Sequence, residues 1–142
     1  MADLFDVSAY ILSQTGPITS MKLQKLVYYS QAWSLVWDER PLFANRIEAW
    51  ANGPVVPDLF QAHRGEFIIA SEPTGRLERL SKDDRETVDG VLATYGDKSA
   101  TWLSALTHNE QPWIEARIGL PDGERGCRPI SHGALTDYYG NL

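Results

Sequence analysis

Leu4, Phe5, Val7, Ile11 and Leu12 recur at helical spacing behind Asp3, whose carboxylate is placed to accept from a free backbone N–H as an N-cap. Gly16-Pro17 ends that helix. A second helix begins at Thr19 or Ser20 and is predicted to run to about Asp38. Its apolar residues are Met21, Leu23, Leu26, Val27, Tyr28, Tyr29, Trp33, Val36 and Trp37, and they cover more than one face. Such a helix either forms the buried centre of a fold or shows its second face to a partner.

Leu42-Phe43 and Ile47 to Ala51 then read as extended chain, and Asn52-Gly53-Pro54 signals a turn, so a short two-stranded element is expected. Pro57 suits the first turn of a third helix holding Leu59, Phe60 and Ala62 and ending by Gly65. One short strand is expected at Phe67 to Ala70. Ser81 with Asp84 forms a capping box with Asp in place of Glu. It opens a helix on which Val88, Val91, Leu92 and Tyr95 fall at i, i+3, i+4 and i+7 before Gly96. Ser99 caps a helix through Trp102, Leu103 and Leu106, and Pro112 opens a short one. After the Gly/Pro-rich loop "LPDGERGCRP", Ser131 caps a last helix with Leu135, Tyr138 and Tyr139. The pattern predicts a mainly α (α+β minor) fold. It is a compact single domain over residues 1–142, with about six to seven helices and a small β-hairpin or short sheet.

Composition narrows the class. Apolar residues make up 43% and charged residues 23%, as in soluble globular chains. Five Trp and six Tyr are many for this length, and they supply core, contact surface or both. A net charge of −6 argues against general nucleic-acid or anionic-membrane binding. The lone Cys127 excludes an internal disulfide. The first residues carry acids where a signal peptide has its basic region, and the apolar runs are too short to span a bilayer, so a cytoplasmic protein is expected.

His108 and Glu110 in "LTHNEQPW" are the sharpest chemical candidate. H-x-E is the zinc-deaminase pattern, but there P-C-x-x-C completes it, and here Cys127 is followed by Arg128 and Pro129. No two of His63, His108 and His132 share a helical face at i, i+4, so neither a metal nor a cofactor is expected. The favoured reading is structural. His108 and Glu110 lie in the turn after a helix, where imidazole and carboxylate bond free backbone groups. A Cys127–His132 nucleophile lacks an oxyanion hole and an orienting acid. No phosphate-cradling glycine motif occurs. Lys22, Lys25, Arg40 and Arg46 read as a solvated face around the aromatic helix. In "ANGPVVPD" two prolines and a glycine stiffen Val55 and Val56, which suits a contact loop or a tight turn with core valines.

The string "MKLQKLVYYSQAW", with "PLF", "IEAWANGPVVPDLF" and "LTHNEQPW" after it in order, resembles the Panacea domain of the SocA-like antitoxins, a family also described as phage-associated. The match takes in Thr107, His108, Glu110, Pro112 and Trp113 as a signature and extends to the closing helix at Tyr138-Tyr139. The resemblance implies the antitoxin half of a toxin–antitoxin pair, a non-enzymatic scaffold that neutralises a cognate toxin, encoded by a neighbouring gene, through direct contact. The domain starts almost at the first residue, so no separate DNA-binding region is expected.

The expected contact face joins the outer side of the aromatic helix to the stiff loop: Lys22, Lys25, Tyr28, Tyr29, Trp33, Trp50, Asn52, Gly53, Pro54, Val55 and Pro57. Aromatic anchors on rigid elements form interface hot spots. The rivals are an adaptor that delivers the toxin to a protease, a metal-dependent hydrolase built on His108 and Glu110, and a DNA-binding regulator, which the charge disfavours. Oligomeric state is left open.

Overall fold

The computed structural model describes residues 1–142. Helix α1 (Leu4–Thr15) is capped by Asp3, which accepts from the Phe5 N–H. A two-residue strand β1 (Ile18–Thr19) leads into α2 (Ser20–Trp37), where the Thr19 hydroxyl accepts from the Lys22 N–H. Strands β2 (Ile47–Trp50) and β3 (Gly53–Val55) form an antiparallel hairpin, followed by α3 (Pro57–Ala62). Strand β4 (Ile68–Ile69) pairs back on β1. Helices α4 (Lys82–Tyr95), α5 (Ala100–His108) and α6 (Gln111–Ala116) follow. Strand β5 (Pro129–Ile130) and α7 (His132–Tyr139) close the chain.

The expected mainly helical fold is found, with seven helices and two small antiparallel sheets. α2 is the central element. It packs against α1, α4, α5 and α7 and against the hairpin, which explains an apolar pattern on every side. Leu23, Leu26, Val27, Tyr28, Tyr29 and Ala32 all lie in the core.

Three local expectations change. The two-stranded element has a third strand, because β5 pairs with β2 through Ile47–Ile130 and Glu48–Pro129. The turn falls at Ala51-Asn52, while Gly53 and Pro54 belong to β3, and Leu42-Phe43 form no strand. The Ser81 hydroxyl does cap the Asp84 N–H, but the Asp84 carboxylate closes no capping box. It pairs instead with the Arg40 guanidinium at 2.9 Å.

Two buried glutamines on α2, two turns apart, splint the irregular chain beside the core. Gln31 Oε1 accepts from the Leu42 and Phe43 N–H groups, and its Nε2 donates to the Phe43 carbonyl. Gln24 does the same for Val56, accepting from its N–H at 2.9 Å and donating to its carbonyl at 3.3 Å. Buried backbone groups need such partners wherever no ladder supplies them.

Candidate functional site

The hairpin turn is gripped from below by side chains. Four consecutive carbonyls each meet a different side chain. Arg117 Nη1 donates to Ala49 at 3.0 Å, Trp113 Nε1 to Trp50 at 2.8 Å and Ser104 Oγ to Asn52 at 3.0 Å, while His108 Nε2 faces Ala51 at 3.2 Å. The His108 Nδ1 faces the Ser104 carbonyl at 2.6 Å, so the ring spans helix α5 and the turn. Trp113 stacks obliquely on His108 with ring centres 4.1 Å apart, and the Arg117 guanidinium lies over the Trp113 ring at 5.3 Å. His108 and Trp113 of the signature, with Ser104 before it and Arg117 after it, thus form a clamp. Its histidine bonds backbone, as the sequence predicts.

Glu110 departs from the expectation. Its carboxylate bonds hydroxyls and no backbone group. Oε1 accepts from Tyr29 at 2.6 Å and from Tyr139 at 2.8 Å. With its one proton given to Glu110, Tyr139 accepts from Tyr28 at 3.0 Å. Tyr29 also stacks on Tyr95 at 4.0 Å, whose hydroxyl accepts from Trp33 Nε1. Burial raises the Glu110 pKa, and the two hydroxyl bonds pull it back in part. Burial likewise pushes the Tyr28, Tyr29 and Tyr139 hydroxyls well above their ordinary range. This network ties α2, α6 and α7 together inside the protein.

The expected contact residues therefore separate. Lys25, Tyr28 and Tyr29 are buried, not on an outer helix face, because α2 is covered on all sides. Gly53, Pro54 and Val55 are buried in the hairpin. Lys22 is half-buried with its ammonium on the Gly96 carbonyl at 2.7 Å, and Trp33 is half-buried. Trp50 and Pro57 are likewise half-buried, and Asn52 is exposed. Lys25 also leaves the expected solvated face. It is 1% exposed, its Nζ donates to the Pro54 carbonyl at 3.2 Å, and burial lowers its pKa to about 8.

A cleft of about 630 Å³ opens beside the hairpin, between the start of α2, the end of α3 and the 125–127 loop. Met21, Trp50, Val55 and Phe60 give it apolar walls, and Cys127 lies on it. Trp50 is fixed there. Its Nε1 donates to Glu48 Oε1 at 2.9 Å, and Phe60 meets it edge-on with ring centres 4.9 Å apart. Phe60, 46% exposed, was not singled out as a site residue, although its place one turn after Pro57 puts it beside the hairpin. Gln24, Gln31 and Arg117 were also missed. For the two glutamines the signal was a polar residue inside an apolar helical pattern, whereas Arg117 lies just past the end of α6.

His63 pairs with Glu72 at 2.7 Å, and Ser8 donates to the same carboxylate oxygen. No three His, Cys, Asp or Glu side chains come together as a metal-holding group. No helix is long and apolar enough to cross a membrane.

The family model described as "Antitoxin SocA-like, Panacea domain" matches residues 23–114. The curated protein "Antitoxin SocA" of Caulobacter vibrioides (strain NA1000 / CB15N) is 32% identical over 116 residues, which cover 68% of this chain and 58% of that relative. The chain thus spans less than two thirds of the relative's length. No solved structure matches. The matched segment contains α2 from Leu23 onward, the hairpin, and His108 and Trp113 of the clamp.

Proposed function

The chain belongs to the SocA-like Panacea antitoxin family, and on that footing we propose that it neutralises a cognate protein toxin by direct, stoichiometric contact. The toxin is the product of a neighbouring gene, and the two meet in the cytoplasm. Contact covers the toxin's active site or substrate surface, and no chemistry by this chain is needed.

The contact face is the hairpin turn and the cleft wall beside it: Trp50, Asn52, Pro57 and Phe60. The single observation that carries this reading is the row of four side chains on the carbonyls of Ala49 to Asn52. They fix the face before a partner arrives. A face already ordered loses little conformational entropy on binding. A held tryptophan beside an exposed phenylalanine is the kind of anchor that dominates interface energies.

Co-expression with the neighbouring gene tests the proposal, reading growth and then co-purification on a tag. Rescued growth with a stable complex is the expected result. Rescue with loss of the toxin, reversed in a protease-deficient host, would assign the chain to delivery for degradation. A neighbour that is harmless alone and does not co-purify would contradict both.

A further inference from the structure

The cleft beside the hairpin carries the opposite sign to the chain as a whole. The protein has a formal net charge of −6, yet Lys25, Arg64 and Arg125 line this cleft against one unpaired carboxylate, Glu66. His63 also lines it and is already paired with Glu72. Arg64 and Arg125 are exposed and form no ion pair, whereas Arg40 and Arg46 each hold a carboxylate. Clefts lined mainly by one sign of charge, with low-dielectric walls, concentrate their field on an entering ligand.

The apolar wall is equally committed. The Trp50 indole N–H is occupied by Glu48, so what Trp50 adds to the cleft is apolar ring surface. Strand addition is not the mode of capture. β3 is an edge strand, but Pro54 at its centre has no N–H, and the Pro54 carbonyl is taken by Lys25. A ligand here must be held by its side chains.

Resting on the direct-contact reading above, we propose that this cleft receives a short acidic segment of the toxin, in which a large apolar side chain lies beside one or two carboxylates. The apolar group packs against Met21, Trp50 and Phe60. The carboxylates pair with Arg64 and Arg125, whose planar forks suit bidentate binding. A cleft of about 630 Å³ is large enough for a few side chains.

Cys127, the sole cysteine, is exposed on this cleft and reports its occupancy. The full chain is titrated with purified toxin, and alkylation of Cys127 by a fluorescent maleimide is followed with and without toxin. Toxin is expected to slow alkylation by about tenfold or more. The Arg64→Glu, Arg125→Glu double variant is expected to lose about tenfold or more in affinity at an unchanged melting temperature, while the double Lys variant, which keeps the charge but not the planar fork, loses less. Unchanged affinity in the double Glu variant, or unprotected Cys127 in the formed complex, overturns the cleft assignment and leaves direct contact standing. A wild-type chain that does not bind the toxin overturns both. Protection that appears on concentrating the chain alone assigns the cleft to a second copy and overturns the proposal as well.

Discussion

The indole N–H of Trp113 donates to the carbonyl of Trp50 at 2.8 Å, joining two tryptophans 63 residues apart. An indole has one donor and no acceptor, so this bond fixes both the ring and the carbonyl. One tryptophan belongs to the signature motif, the other to the cleft wall. The bond makes the motif a support for the proposed contact face.

Trp113→Phe keeps an aromatic ring and removes the donor. It is expected to lower stability by about 1–2 kcal/mol, a few degrees in melting temperature. His108→Ala should act in the same direction, since it removes the ring that bridges the Ser104 and Ala51 carbonyls. Thermal denaturation checks both, and two unchanged melting temperatures would show that the turn does not depend on this grip.

Gly53 has φ +124°, and a Cβ there would lie 2.8 Å from Lys25 Cε and 3.2 Å from Thr107 Oγ1. Gly53→Ala therefore meets backbone strain and crowding together. A loss of at least about 1 kcal/mol is expected in chemical denaturation, from the backbone strain alone. A neutral result would mean that the hairpin is free to shift.

Lys25 gives a pH signature. Its folded pKa of about 8 lies below the ordinary 10.5 because burial disfavours the charge. Between these values the unfolded chain binds more protons than the folded one, so this group's contribution to stability rises with pH. Lys25→Met lacks that rise and removes a buried charge that has no carboxylate partner. Denaturant titrations near pH 7.5 and pH 10 should show the wild type gaining on the variant as pH increases. A constant difference would contradict a buried, desolvated ammonium.

Glu110 works in the opposite direction. Burial raises its folded pKa above the ordinary 4.5, so the folded state holds the proton more tightly. Its contribution is greatest below the ordinary value and is lost as pH rises through the folded one. Glu110→Gln keeps an oxygen for Tyr29 and Tyr139 and cannot ionise. Relative to wild type, the variant should gain stability from pH 4.5 upward and then level off. Parallel stability curves over that range would refute the assignment.

The helices were legible because their starts are written locally. Asp3, Thr19, Ser81, Ser99 and Ser131 all accept the backbone N–H that an N-cap should. Strands β1 and β5 were not legible, since two residues carry no period and their partners lie far along the chain. Tyr28 and Tyr29 were placed outward because an all-round apolar helix has two readings, and only packing chooses between them. Glu110 was read through its neighbours in sequence, while Tyr29 and Tyr139 reach it from 81 and 29 residues away. Of the expected contact residues, Lys22, Trp33, Trp50, Asn52 and Pro57 keep exposed surface.

The most direct test of the contact face is calorimetric titration of the purified toxin into the wild-type chain and into Trp50→Ala, with melting temperatures in parallel. A stoichiometric wild-type complex is predicted, with a loss of about 2 kcal/mol or more in binding for a variant that remains folded. A folded Trp50→Ala chain that binds the toxin as tightly as wild type would contradict the account.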